Sequence, residues 1–399
     1  MEKRAIFIGI CFLLVYLLGN LYVIVKLLKG MEKVLQALDG MLPLGKLAIR
    51  VCKVVFAAFL CVAAVSMFVA LFARDSNLPH WLHAGFYKVG SIWLVFLLYM
   101  VLALIVVDLV RVFWGGVFLN RYGTFIALSF VLVLLVGGYI NYRNPRVEEI
   151  AIDLRNGDNC SNPADHTLVG EQLQEQVHKM KIVAVSDVHL GHATGKKHLQ
   201  KYVEKINSLN PDIILIGGDL IDNNVVPLEQ QRMNEELSLL KARLGIYMVP
   251  GNHEYIASRN LVKVEEFLSN TPIVLLRDSV VVLSDGLALV GVDDRHHHAR
   301  SVHEDLKGKV GERHSILLEH QPSNLAMKDS VGFDVIFSGH THRGQVWPFT
   351  YVVESMYEQS HGYRKWSNSH VIVSSGLSLW GPPFRIGTNS DMWVIDLQY

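Results

Sequence analysis

The chain has 399 residues, of which 51% are hydrophobic and 19% charged, and Lys plus Arg balance Asp plus Glu at a formal net charge of zero. So apolar a composition exceeds what an ordinary soluble protein carries and points to membrane spans, while the length allows two or three units. Charge neutrality excludes a global basic surface for nucleic acid, and Cys11, Cys52, Cys61 and Cys160 form neither a CxxC zinc motif nor a disulfide framework in the polar part.

Four long apolar runs come first, at Ala5–Val25, Val54–Phe72, Ile92–Val110 and Gly123–Ile140. Each falls in the range of about 17–25 residues with which a helix crosses the hydrocarbon core. Charged connections separate them, which favours spans over the buried helices of one large soluble core. The first run follows Lys3 and Arg4 as a signal peptide would. Its apolar stretch is too long for such a segment and no A-x-A site follows, so it reads as a retained helix. Asn20 and Asp108 are polar residues within spans; Asp108 beside Arg111 reads as a solvated end-of-helix pair. The first connection carries Lys26, Lys29, Lys33, Lys46, Arg50 and Lys53, the second only Arg74 and Lys88. By the positive-inside rule the first connection is cytoplasmic, which places both termini outside. Lys3 and Arg4 point the other way.

Asn141–Pro145 reads as a linker, dividing a transmembrane anchor (residues 1–144) from a second domain (residues 145–399). Beyond it the apolar runs shorten and are rich in Val, Ile and Leu. Lys181–Asp187, Asp212–Asp219, Gly245–Asn252, Leu287–Asp293, Ser315–His320 and Phe333–His340 are expected strands. Helical patterns cover about Lys196–Ser208, Glu229–Arg243 and Ser258–Ser269. Strand, helix and strand at this spacing imply parallel pairing under a helical layer, and the closer later strands imply a mixed sheet system. Asn156–Val177 is polar and reads as a flexible insertion.

The strand ends carry the chemistry. The first ends in Asp187-Val188-His189, the second in Gly217-Gly218-Asp219, the third in Gly251-Asn252-His253, and later ones in His320 and Gly339-His340-Thr341-His342. Ligands collect at the carboxyl ends of strands in open α/β sheets. In an extended chain residues i and i+2 share a face, so Asp187 and His189 are expected to grip one ion, and His340 and His342 to face one cavity. Each fragment alone is an ordinary turn or surface histidine; five in order, each at a strand end, are not. Nitrogen and oxygen ligands without thiolate suit Mn, Fe or Zn and do not choose among them.

This ordered series, D-x-H, G-G-D-x-x-D, G-N-H-E, a lone His and G-H-T-H, resembles the calcineurin-like metallophosphoesterase superfamily over about Lys181 to Leu397. Leu289–Asp294, His340–Gln345 and Ser374–Thr388 look like its bacterial branch of membrane-tethered phosphodiesterases, and relatives in the superfamily hydrolyse UDP-diacylglucosamine. The resemblance implies an α/β domain in which two mixed sheets form a sandwich flanked by helices, a four-layer fold. It implies two divalent metals. Asp187, His189 and His342 bind the first, Asn252, His320 and His340 the second, and Asp219 bridges both. It further implies His253 as general acid or transition-state donor, oriented by Asp222, and attack by a hydroxide shared between the metals.

Two positions depart from the pattern. Asn223 stands where phosphoprotein phosphatases carry a phosphate-gripping Arg, which favours a diester or pyrophosphate substrate. Arg343 replaces a glycine; it either meets a substrate phosphate or pairs with a neighbouring acid. His192 is a further candidate substrate contact. His296, His297 and His298 read as a solvated rim loop because adjacent side chains diverge. Trp380, Pro382, Pro383 and Phe384 form an apolar loop that packs in the core, touches lipid or walls off the site.

The expected protein is an integral protein of a bacterial plasma (inner) membrane with its catalytic domain outside the cytoplasm. It hydrolyses phosphodiester or pyrophosphate bonds in a phosphorylated small molecule or lipid-linked substrate, which an anchored enzyme meets at high local concentration. Hydrolysis of soluble nucleotides or small diesters is the alternative within the class, and a non-catalytic metal-binding sensor the alternative outside it. Membrane lipid is the other expected partner; no nucleic acid and no protein partner is implied.

Overall fold

The computed structural model describes residues 2–40, 45–72, 79–114, 116–155, 178–294 and 302–399. They form two compact units, one of Met1–Ile140 with Gly381–Pro383, the other of Asn141–Trp380 with Phe384–Tyr399. The expected insertion at Asn156–Val177, the histidines 296–298 and Cys160 lie outside the described residues.

The first unit consists of helices α1 (Glu2–Asp39), α2 (Gly45–Phe72), α3 (His80–Trp114) and α4 (Val117–Tyr142). All four are long and apolar enough to cross a membrane. A helix bonds all its backbone polar groups to itself, so apolar side chains such as Val15, Leu18, Val112 and Val133 face outward without exposing unsatisfied amides to lipid. The polar residues inside the spans are paired. Asn20 donates to the Tyr16 carbonyl at 2.8 Å and accepts from Trp93 Nε1 at 2.8 Å. Asp108 accepts from Arg111 at 2.7 Å, as its neighbour in sequence, but also from Lys26 at 2.5 Å and Tyr22 at 2.6 Å on α1.

The second unit is built on β1 (Arg146–Asp153), β2 (Lys179–Val185), β3 (Ile213–Ile216), β4 (Ile246–Met248), β5 (Ile273–Leu275), β6 (Ser279–Val282), β7 (Ala288–Gly291), β8 (Ser315–Leu318), β9 (Val335–Ser338), β10 (Gly362–Lys365), β11 (His370–Val373) and β12 (Asp391–Gln398). They form two six-stranded sheets, β1-β12-β2-β3-β4-β5 and β10-β11-β9-β8-β7-β6. Pairing is parallel except at β12/β2, β6/β7 and β10/β11.

The period of two along each strand explains the layers. In β2 and β3, Ile182, Ala184, Ile213 and Leu215 point into a shared core with Leu289, Ile316 and Phe337 of the other sheet. Their neighbours Val183, Val185, Ile214 and Ile216 pack outward on Leu199, Tyr202, Val203 and Ile206 of α5 (Lys196–Ser208). The second sheet buries Val290, Leu317 and Ile336 against Leu306, Val310 and Leu325 of helices His303–Val310 and Leu325–Val331. Strands buried on both faces read as continuous apolar runs. Helix, sheet, sheet and helix thus make the expected four layers.

Some elements differ from expectation. The helical pattern at Glu229–Arg243 is two short helices, Val226–Gln230 and Met233–Leu237, interrupted where Arg232 adopts φ 53°. Ser258–Ser269 shortens to Val262–Leu268, because Leu261 before it has φ 61°. Asn252–Ala257 is a helix, which takes in the last residue of the expected strand Gly245–Asn252. The expected linker Asn141–Pro145 is partly helical: α4 continues to Tyr142, and β1 begins at Arg146. Neither β1 nor β12 stood among the expected strands; β1 is an edge strand whose Arg146, Glu148 and Glu149 dilute its apolar pattern.

Beneath the outer helices of the second sheet, the buried Glu319 accepts from Lys328 at 2.7 Å and contacts His303 Nε2 at 2.7 Å. Burial opposes its charge, but Lys328 and His303 outweigh this and hold its pKa below the ordinary value. Replacing Lys328 by Met leaves that carboxylate underpaired, which costs about 3–5 kcal/mol. Urea unfolding of the purified chain should show the loss as a lower midpoint at unchanged slope.

Candidate metal centre

Asp187 and His189 follow β2, Asp219 follows β3, Asn252 and His253 follow β4, His320 follows β8, and His340 and His342 follow β9. The first sheet therefore contributes five of these side chains and the second sheet three, all from carboxyl ends of strands. Three sets have ligand atoms within 4.8 Å of one another: Asp187, His189 and His342; His189, Asp219 and His253; and Asp219, His320 and His340. Asp219 Oδ2 lies 3.1 Å from His320 Nε2 and 3.8 Å from His189 Nε2. His189 and His342 approach Nε2 to Nε2 at 3.0 Å, and His342 Nε2 is 3.5 Å from Asp187 Oδ1.

The convergence does not come from strand alternation. Asp187 (φ 54°), His189 (φ 46°), Asp219 (φ 52°), His340 (φ 71°) and His342 (φ 47°) all adopt left-handed backbone. The chain coils at each strand end instead of staying extended, so i and i+2 converge by a tight turn. His340 and His342 consequently separate, one toward His320 and the other toward His189. Such conformations cost roughly 1–3 kcal/mol each and persist where the surroundings over-determine them. Close approach does the same at Gly339, where a Cβ would sit 1.8 Å from Ser186 Oγ and 2.4 Å from Asp187 Oδ2.

Hydrogen bonds fix the working atoms. Asp187 accepts from Ser186 Oγ at 2.6 Å and from the His340 amide at 3.0 Å. His320 Nδ1 donates to the Gly217 carbonyl at 2.8 Å, which turns Nε2 toward Asp219. His253 Nδ1 donates to the Asp222 carbonyl at 2.7 Å, with the Asp222 carboxylate at 3.4 Å. The backbone of Asp222 therefore holds the His253 ring more closely than its side chain does, and the carboxylate also faces His189 Nδ1 at 3.7 Å.

The field of the site favours cations. Asp219 lies well below its ordinary pKa: burial works against its charge, but His320, His253 and His189 outweigh it. Burial likewise opposes the charged form of His320, yet Asp219 lifts it to about 10. With the protein's own charges alone, His253 rises to about 9 against its burial, through Asp222 and Asp219. His340 falls to about 4, first from burial and then from His320, so its ring is neutral and offers a lone pair. Asn252 Oδ1, His189 Nδ1 and His342 Nδ1 are buried without hydrogen-bond partners. A negative pocket that draws protons onto imidazoles draws metal cations equally, and this oxygen and nitrogen set fits divalent ions.

The remaining candidates lie at the periphery. Arg343 is half-buried at φ 51°, its Nε buried without a partner. His192 sits half-buried in the turn that Gly191 closes on Thr194 at 3.1 Å.

Comparison with known proteins agrees with this geometry. The family described as calcineurin-like phosphoesterase matches residues 180–344. A metallophosphoesterase of Helicobacter pylori is 31% identical over 284 residues, covering 68% of this chain and 70% of its own length. The chain belongs to the calcineurin-like metallophosphoesterases. It is also similar, at 28% identity over 99% of its length and 91% of the relative's, to a Danio rerio protein named transmembrane protein with metallophosphoesterase domain. The UDP-2,3-diacylglucosamine pyrophosphatase LpxG of Chlamydia trachomatis is 28% identical over 43% of this chain and 67% of its own. This metallophosphoesterase is accordingly a metal-dependent hydrolase, and its four apolar helices together with its transmembrane relatives make it a membrane protein.

Two residues of the metallophosphoesterase site escaped the reading of the sequence. The buried Glu254 accepts from the amides of Gly251 at 2.7 Å, Ile221 at 2.9 Å and Asp219 at 3.0 Å, which locks two ligand loops together. Its place in G-N-H-E was the available signal. The buried Arg385 donates to the carbonyls of His342 at 2.6 Å, Ser375 at 2.5 Å and Ser378 at 2.9 Å. It lies in a stretch noted only as a resemblance.

Glu254→Gln removes one of the two acceptor oxygens. Loss of such a supporting contact weakens metal binding by about 10–100-fold, and calorimetric titration with Mn²⁺ should read that fall. Unchanged affinity would mean that the loops hold their shape without the carboxylate.

Proposed function

We propose that the chain is a dinuclear hydrolase of phosphodiester or pyrophosphate bonds in a lipid-linked or membrane-proximal substrate, with residues 145–399 as catalytic domain and residues 1–144 as anchor. The observation that carries this is Asp219: one carboxylate oxygen faces an imidazole from each sheet, His320 at 3.1 Å and His189 at 3.8 Å, as a bridging ligand requires. Two divalent ions, one held by Asp187, His189 and His342 and one by Asn252, His320 and His340, would supply Lewis acidity to the phosphoryl oxygens and acidify water.

His253 is the proton donor of this reading. Because Nδ1 is committed to the Asp222 carbonyl, Nε2 is free to deliver a proton. With the protein's own charges alone, Asp222 and Asp219 favour the protonated ring against its burial. Water loses one proton to solvent as its oxygen bonds phosphorus, the bond to the leaving oxygen breaks, that oxygen takes the Nε2 proton, and solvent reprotonates His253. Arg343 supports a second contact, since its buried, unbonded Nε beside His342 has donors suited to a phosphate oxygen. Three observations support a membrane substrate: the four spans, the transmembrane relative and the similarity to LpxG. The basic connection from Lys26 to Lys53 supports a catalytic domain outside the cytoplasm.

Purified full-length protein in detergent should cleave bis-p-nitrophenyl phosphate faster than p-nitrophenyl phosphate. Chelator and Asp219→Ala should each abolish the reaction. His253→Ala should lower kcat by about 10²–10⁴-fold while metal content stays constant. Retained turnover in that variant would remove the acid role, and preference for the monoester would overturn the diester reading.

A further inference from the structure

The segment that follows G-H-T-H exposes what a water-soluble surface hides. Helix Phe349–Met356 carries Phe349, Val352 and Met356 at i, i+3 and i+7, which places them on one face. That face points away from the domain: Met356 is 67% exposed and Val352 53%, and only Thr350 of this helix is buried. Trp347, just before the helix, and Trp380 are also exposed.

This apolar surface is linked by hydrogen bonds to the end of α4. The apolar run of α4 stops at Ile140, and Asn141, the next residue, donates through Nδ2 to the carbonyls of Thr388 at 2.7 Å and Arg385 at 3.0 Å. Between these two, Ile386 accepts from the Trp347 amide at 2.8 Å, and Thr388 Oγ1 donates to the Gln345 carbonyl at 2.5 Å. One loop, residues 385–388, therefore contacts both the end of the last span and the start of the apolar segment. The same neighbourhood borders the metal centre, since Arg385 holds the His342 carbonyl and the Trp380 ring lies 6.1 Å from that of His253.

We propose that helix Phe349–Met356, with Trp347 and Trp380, docks on the bilayer that α4 leaves, seating its apolar face at the boundary of headgroups and acyl chains. Exposed Trp and Tyr around an aliphatic stripe is the composition that interfacial helices use. A second copy of the chain, which would cover about 800 Å² per partner, is the alternative occupant, and nothing ties it to the end of a span. The inference rests on α4 crossing a membrane and is independent of the substrate cleaved.

The test uses the full chain with its four cysteines replaced by serine and one cysteine reintroduced for an environment-sensitive fluorophore. Val352→Cys and Met356→Cys report on the surface. Val133→Cys on α4 reports a lipid-facing span position, and Leu239→Cys, exposed on the catalytic domain, reports water. In nanodiscs of phosphatidylcholine with and without brominated acyl chains, the labels at 352 and 356 should lose emission to bromine as the label at 133 does, and resist aqueous iodide. The label at 239 should do the reverse. Iodide quenching at 352 and 356 equal to that at 239 overturns docking, as does label-to-label transfer showing that a second copy covers the face. Absence of bromine quenching at 133 would refute the span and the docking with it, while hydrolysis of bis-p-nitrophenyl phosphate would still judge the catalytic reading separately.

Discussion

The rest of the site depends on the contact between Asp219 and His320, because these residues belong to different sheets. Asp219 follows β3 and His320 follows β8, yet their ligand atoms lie 3.1 Å apart. His320 Nδ1 is bonded to Gly217 of the first sheet, so the seam is closed by two contacts, not one. The His340 amide completes a third by donating to Asp187. A metal centre shared between two sheets exists only while their register holds. The shared core of Ile182, Leu215, Ile316 and Phe337 therefore acts on chemistry as well as stability. In a close-packed interior a small slip of one sheet would be felt at once in these distances.

Holding acids and imidazoles this close has a conformational cost. Five of the seven proposed ligands adopt positive φ, at about 1–3 kcal/mol each, and like-signed groups crowd together. The chain offsets this with buried acceptors and donors aimed at the backbone. Glu254 takes three amides of the first sheet's ligand loops. Arg385 takes the carbonyls behind His342 and those of Ser375 and Ser378. One residue gathers N–H groups and the other C=O groups, and together they brace both sides of the ligand set without contributing ligand atoms. Burial and the charge of Asp219 raise Glu254 to about 7, so cation binding beside Asp219 would also relieve that repulsion.

What the sequence made legible follows from what repeats within it. Apolar length identifies spans, and apolar runs ending in Asp, Asn or His identify the strand ends. Residues such as Asp187, Asp219 and His340 could thus be named before their contacts were known. Left-handed backbone was not legible, because these positions are Asp and His and not glycine, and tertiary contacts alone fix them. The break at Arg232 in an otherwise helical pattern has the same origin. Nor was the orienting role of the Asp222 carbonyl legible, since a backbone acceptor leaves no mark in residue type. Helix Phe349–Met356 was missed because its apolar spacing resembles any core helix, and only its exposure distinguishes it.

These features meet in the residues 374–391 that return the chain from β11 to β12. Asp391, at the start of β12, accepts from Ser374 Oγ and the Ser375 amide and so closes the base of this loop. Arg385 in its middle supports the His342 turn, and the Ile386 carbonyl accepts from the Trp347 amide. Its 385–388 stretch also bonds Asn141 at the end of α4. Asn141 is therefore two hydrogen-bonded steps from the His342 carbonyl, through the Arg385 backbone and then the Arg385 side chain. One loop of the second unit thus braces the His342 turn and holds the Trp347 segment, so the support of the ligand set and the placing of the apolar segment rest on the same few residues.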